Sequence, residues 1–283
     1  MIAIVSFYKF FPFPDCADWK DRLLLRMQEL NVRGTILLAT EGVNGTISGE
    51  ASAVHHVIAF LETIPACAPL TCKESTHDTQ PFSKTKVKLK KELISMGEYA
   101  SPLEAVGEYV APEDWNVLIA EKDVILIDAR NSYETHVGTF KGAVDPATRT
   151  FKQLAGYSRT QLEEWKNKKV ATYCTGGIRC EKYTAWLKQQ GVKNVYHLEG
   201  GILNYLEKVK PEESLFEGSC YVFDERTALG HDLAADTKIT YCPSCGHSLN
   251  PEDRQDEHYI AEIQCRYCEG YAPSNADYLS AKA

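Results

Sequence analysis

The chain has 283 residues, 44% of them apolar, and a formal net charge of −8 at neutral pH. That length accommodates two or three domains with real cores, and no run approaches the roughly 20 apolar residues that a membrane span requires. The acidity argues against nucleic-acid binding, DNA included, by bulk charge, but it is uneven: residues 211–283 hold 5 Lys+Arg against 14 Asp+Glu, and residues 1–210 hold 26 against 25.

Residues 2–10 alternate like a strand and lack the basic region and cleavage site of a signal peptide. Trp19, Leu23, Met27 and Leu30 recur at helical spacing and predict a helix over 17–31. Val32 to Ala39 reads as a second strand. Gly42-Val43-Asn44-Gly45 reads as a turn, because Asn-Gly is the strongest short hairpin signal, and Thr46 to Ser48 then opens the return strand. Val54, Val57, Ile58 and Leu61 share one face of a second helix that stops before Pro65. A further strand lies within 69–94. The order βαββαβ predicts a ferredoxin-like α+β domain over 1–95, a fold that carries no function by itself.

Within it, Lys84, Lys86, Lys88 and Lys90 alternate with Thr85, Val87 and Leu89, so the four lysines share one strand face. A stripe of this kind contacts the phosphates of RNA or protects an edge strand against aggregation. Residues 96–112, with Pro102, Pro112, Gly97 and Gly107, read as a linker. From 113 to 210 strands (124–128, 170–174, 195–198) alternate with helices, the pattern of a parallel α/β domain.

The chemistry concentrates in Cys174-Thr175-Gly176-Gly177-Ile178-Arg179-Cys180. A buried strand ends at Tyr173, and a helix runs from Arg179 to Gln190 with Tyr183, Trp186 and Leu187 as its apolar stripe. The two glycines let consecutive N–H groups curl inward into a nest at a helix N-terminus, which attracts negative charge. A cysteine at its mouth is expected to be a thiolate, the form that attacks. The plain alternative is a buried structural cysteine. Asp128 and Arg130 sit at the end of a neighbouring strand, where residues build the site of a parallel sheet; an ion pair bracing the loop is expected of them, with direct catalysis as the alternative. Cys180, one turn into the helix, is a candidate resolving thiol.

The last segment, 211–283, is acidic and loop-rich. It holds Cys242-Pro-Ser-Cys245 and Cys265-Arg-Tyr-Cys268, the spacing of a closed four-cysteine zinc site that is structural and does no chemistry. Such a unit folds around its metal. His247 and His258 could substitute as ligands but read rather as surface histidines. The spread of the ten cysteines between one loop, two pairs and isolated positions fits a reducing cytoplasm better than a secreted disulfide scaffold.

The Cys174 loop resembles that of rhodanese domains. So do Asp128-Ala129-Arg130, Glu134, His136-Val137-Gly138, Lys141-Gly142-Ala143 and Val195 to Ile202. Cys174 to Arg179 has the six-residue length of sulfur-handling rhodaneses rather than the longer loop of the related Cdc25-type phosphatases. With Glu41 to Gly49, Phe82 to Gly97, Tyr221 to Arg226 and a cysteine-rich tail, the resemblance extends over nearly the whole chain to the tRNA uridine(34) hydroxylase family. It implies tRNA as partner and oxygen-dependent conversion of the wobble uridine to 5-hydroxyuridine, with molecular oxygen as co-substrate. The sequence shows no dinucleotide fingerprint and no 2-His-1-carboxylate triad, so no flavin, NAD or catalytic iron is expected. Two other functions share these residues: sulfur transfer through a Cys174 persulfide, and a non-enzymatic adaptor.

Overall fold

The computed structural model describes residues 1–268. It divides into two compact units, residues 1–94 and residues from 95 onward.

The first unit is built from β1 (Ile2–Phe10), α1 (Cys16–Glu29), β2 (Arg33–Ala39), β3 (Gly42–Gly49), α2 (Ala51–Leu61), β4 (Cys72–His77) and β5 (Thr85–Leu89). The sheet order is β4-β1-β3-β2-β5. The first four strands are the expected βαββαβ core, and β5 is an added edge strand running parallel to β2. Trp19, Leu23 and Met27 of α1 and Val54, Val57 and Leu61 of α2 pack on Val5, Phe7, Ile36, Leu38, Val43, Ile47 and Val87 from the strands. All of these lie on one face of the sheet, as period-2 alternation requires.

One local expectation fails. Asn44-Gly45 is not a turn. The connection is Thr40-Glu41, and β3 already begins at Gly42, opposite Ala39. Gly45 pairs with Phe7 on one side and Ile36 on the other. A Cβ there would stand 2.8 Å from the Phe7 ring, so this glycine serves close packing inside a central strand. Two ladders of hydrogen bonds outweigh a dipeptide preference.

The second unit holds β6 (Glu108–Val110), α3 (Pro112–Ile119), β7 (Val124–Asp128), α4 (Ser132–Thr135), β8 (Gly138–Phe140), α5 (Leu154–Arg159), α6 (Leu162–Trp165), β9 (Lys169–Tyr173), α7 (Ile178–Gln189), β10 (Asn194–Leu198), α8 (Gly201–Lys208) and β11 (Phe216–Gly218). The parallel sheet has the order β6-β10-β9-β7. Its edge strand β6 therefore lies inside the stretch that reads as linker. Phe140 is the hub of one core layer, with ring centroids 4.7 Å from Tyr205, 4.8 Å from Tyr173 and 5.2 Å from Phe216.

Short hairpins follow: β12 (Cys220–Tyr221) with β13 (Ala228–Leu229), and β14 (Thr240–Tyr241) with β15 (Ser248–Leu249). This segment is not a separate body. β11 pairs with β8, Phe216 and Cys220 enter the core around Phe140, and Tyr221 packs on Tyr133. Residues 269–283, the end of the predicted cysteine-rich segment, lie outside the described residues. No helix among the described residues is long and apolar enough to cross a membrane.

Candidate active site

Cys174 stands at the carboxyl end of β9, between strand and helix. Gly177 caps α7 with φ +104°, a conformation that favours glycine. Its N–H points at the Cys174 Sγ, 3.2 Å away. This donor favours the thiolate form of Cys174. The loop is clamped from behind by α8, whose first N–H groups are donated outward: Ile202 N to Cys174 O at 2.9 Å and Leu203 N to Thr175 O at 3.1 Å. Gly201, with φ +66°, makes that approach possible. A Cβ there would lie 2.5 Å from the Cys174 carbonyl oxygen.

Thr175, Gly176 and Ile178 are half-exposed at the rim, while Arg179 is buried. The Arg179 guanidinium forks onto Glu134, Nη1 to Oε2 at 2.5 Å and Nη2 to Oε1 at 2.7 Å, and its Nη2 also donates to Thr175 Oγ1 at 3.2 Å. Glu134 in turn sits in the capping box of α4 and accepts from Asn131 N at 3.2 Å. Arg130 makes the same kind of fork onto Asp128, Nε to Oδ1 at 2.9 Å and Nη2 to Oδ2 at 2.6 Å, and also donates to the Gly138 carbonyl at 2.6 Å. Both pairs are buried and fully bonded, the condition under which interior charges are tolerated.

Burial by itself raises the Cys174 pKa. The Cys180 thiol, the Arg179 charge and the N–H groups of Cys180 and Gly177 outweigh it and bring the pKa down to about 6. Cys180 is fully buried, and burial together with the neighbouring Cys174 charge pushes its own pKa well up. It acts as a donor to the thiolate. Buried His197, edge-on to Tyr109 at 4.2 Å, has its pKa brought down to about 4 by burial. It is therefore neutral at pH 7.

Comparison with known proteins gives the site a context. Residues 2–93 match the UPF0176 acylphosphatase like domain, and residues 111–208 match the Rhodanese-like domain. A protein of Acaryochloris marina (strain MBIC 11017) named tRNA uridine(34) hydroxylase is 50% identical over 267 residues, which are 94% of this chain and 86% of that one. The chain belongs to the tRNA uridine(34) hydroxylase family. Among solved structures, an acylphosphatase from Coxiella burnetii is 14% identical over 30% of this chain and 90% of its own, with a TM-score of 0.24. A rhodanese-related protein from Thermoplasma volcanium is 23% identical over 37% of this chain and 95% of its own, with a TM-score of 0.30. Scores this low add nothing to the sequence match.

In this family member the four cysteines of the two Cys-x-x-Cys pairs converge. Cys242 and Cys268 have their sulfurs 3.6 Å apart, Cys245 and Cys265 are also 3.6 Å apart, and Cys265 and Cys268 are 4.0 Å apart. All four sulfurs lie within 4.8 Å of one another. A tetrahedral ion bound at about 2.3 Å to sulfur sets the sulfurs about 3.8 Å apart, so this donor set fits a metal. His258 is exposed, as expected. His247 is not: it is buried, and its ring stacks on Tyr267 at 3.9 Å.

The lysine stripe stands in the first unit. Lys84 and Lys90 flank β5 and are exposed, and Lys86 and Lys88 within it are half-buried. They line the sheet face opposite the helices. The register makes a row across it, Lys73, Ser6, Thr46, Thr35 and Lys86. Partial burial, with Lys88 and Lys84 alongside, lowers the Lys86 pKa. In the second unit, Arg179 and Lys182 beside the Cys174 loop are both buried.

Some residues of this site escape sequence reasoning. Glu134 was legible only as a landmark, and Gly201 only as part of a closing turn. Asp224 and Arg226 repeat the Asp-x-Arg fork of Asp128 and Arg130, Nε to Oδ1 at 2.8 Å and Nη2 to Oδ2 at 2.6 Å. The repeated Asp-x-Arg spacing and the place of both residues in the Tyr221 to Arg226 resemblance were the signals on offer.

Proposed function

We propose that this protein hydroxylates the wobble uridine of tRNA at C5, with Cys174 as the nucleophile. The activity follows the family and the name of the Acaryochloris marina relative. The observation that carries the role of Cys174 is the setting of its sulfur, 3.2 Å from the Gly177 N–H and beside Arg179 and Cys180, which brings its pKa down to about 6. The thiolate adds to C6 of uridine, and the C5=C6 electron pair becomes an enolate centred on C5. C5 bonds to one atom of molecular oxygen. A two-electron reductant, a thiol pair by class, cleaves the O–O bond and the second oxygen leaves as water. Loss of the C5 proton and departure of the thiolate from C6 restore the ring. The balance is uridine, O2, two electrons and two protons to 5-hydroxyuridine and water.

Cys174 is 1% exposed. Uridine therefore reaches it by displacing the rim of Thr175, Gly176 and Ile178. Asp128 and Arg130 hold the loop rather than touch substrate. Cys180 resolves an oxidised Cys174 by forming a disulfide with it when no uridine is bound. The lysines at 84, 86, 88 and 90 receive tRNA phosphates, the four cysteines hold a structural zinc ion, and the protein works in the cytoplasm.

Replacing Cys174 by serine tests the core of this. The alcohol stays protonated at neutral pH. Nucleoside mass spectrometry of tRNA from a strain carrying only this variant should show 5-hydroxyuridine lost. Wild-type levels would refute the assignment, and loss of a thiolated nucleoside instead would mean sulfur transfer.

A further inference from the structure

A cleft of about 430 Å³ lies beside α4, lined from two sides. The helix presents Glu134 to the Cys174 loop, but Ser132 and Thr135 line this cleft, with His136 just beyond the helix end. The opposite wall comes from the cysteine cluster. His247 follows Cys245 by two positions, and Arg266 and Tyr267 lie between Cys265 and Cys268. The wall is built, not incidental. The Tyr267 ring stacks on His247, and His136 stands edge-on to both at 5.2 and 5.1 Å. Buried Asp253 ties them together, 2.6 Å from His136 Nε2 and accepting from the Tyr267 hydroxyl at 2.9 Å.

The charge of the lining is distinctive. Arg149 and Arg266 contribute two guanidiniums, the second also paired at 3.1 Å with Asp256 just outside the lining, and Asp145 is the one carboxylate of the lining itself. The oxygens of Asp145 already accept from Thr135 Oγ1 at 2.9 Å and Ala147 N at 2.7 Å. Of the two guanidiniums, Arg266 comes from the most acidic part of the chain, where 5 basic residues stand against 14 acidic ones. Guanidiniums match phosphate oxygens, and hydroxyls match a sugar and the edges of a base. The volume falls within the roughly 300–1,000 Å³ of small-ligand sites.

We propose that this cleft binds a nucleoside phosphate, with the phosphate between Arg149 and Arg266 and the nucleoside against Thr135, Thr139 and the His136 ring. The choice of ligand rests on the tRNA-modifying function proposed above, but the site does not use Cys174. The ligand is a free nucleotide or one unit of an RNA strand, and both present the same chemistry.

Calorimetric titration of the full-length, metal-loaded protein tests it, with uridine 5′-monophosphate, inorganic phosphate and a single-stranded hexauridylate as probes. Uridine monophosphate should bind saturably. Arg149→Ala and Arg266→Ala, at side chains open enough to leave the fold intact, should each weaken it about tenfold, the loss of one charge-assisted hydrogen bond. Circular dichroism and metal content verify the folding of each variant. Hexauridylate binding at least about tenfold tighter than the mononucleotide assigns the site to an RNA strand, and equal binding assigns it to a free nucleotide. Absence of binding, wild-type affinity in both variants, or inorganic phosphate binding as tightly as the nucleotide overturns the proposal. Cys174→Ser should bind like wild type, so a failed Cys174 assignment leaves this result readable by itself.

Discussion

Cys174 is buried, and burial opposes ionisation. Its pKa of about 6 therefore measures how strongly the Cys180 thiol, the Arg179 guanidinium and two backbone N–H groups favour the thiolate. The sign gives a pH profile. A depressed thiol pKa means that the reactive form is present above that pKa and lost below it. Alkylation of Cys174 by a small reagent should be half-maximal near pH 6 and level above pH 7, whereas an ordinary thiol near 8.5 is still gaining rate there. Cys180→Ala removes the leading stabilising donor and should move the midpoint upward, with a small cost in stability. An unchanged midpoint in the alanine variant would mean that Cys180 does not bond to the thiolate.

At the scale of elements, β5 decides how the lysines are used. It is an edge strand, which by itself explains lysines as protection against pairing with other chains. Its register adds something that edge protection does not need: Lys86 stands at the end of a row of hydroxyls that crosses the sheet to Lys73. Changing Lys86 and Lys88 to alanine should weaken tRNA binding and flatten its salt dependence by roughly 0.7–0.9 for each phosphate no longer neutralised. Wild-type binding at low and moderate salt alike would leave β5 as a protected edge and no more. The alternation of the stripe was legible because strand faces have period two. That β5 is a fifth strand beside β2, and that Asn44-Gly45 is strand rather than turn, was not, because sheet order depends on partners distant in sequence.

For the whole molecule, the cysteine cluster is joined to the domain that carries the Cys174 loop. The Ser248 hydroxyl donates to the Tyr133 carbonyl, and Asp253 holds His136, so both contacts reach residues on or just after α4. One zinc ion per chain is expected from metal analysis of protein purified without chelator. Cys265→Ala with Cys268→Ala should bring it to none and lower the melting temperature, since the binding energy of a structural zinc is folding energy. Full metal occupancy in that double variant would remove these cysteines as ligands.

The sequence by itself determined the Cys174 loop, the βαββαβ order and the two cysteine pairs. In each case the chemistry is set by neighbours a few positions apart: a nest needs consecutive N–H groups, and a zinc knuckle needs a fixed short spacing. Only the tertiary structure decided that Arg179 forks onto Glu134, 45 positions earlier. It alone showed that Gly201 lets α8 clamp the loop, and that His247 and Arg266 face α4 across a cleft. Buried ion pairs and cavity walls are made by residues that packing brings together, and packing has no period to read along the chain.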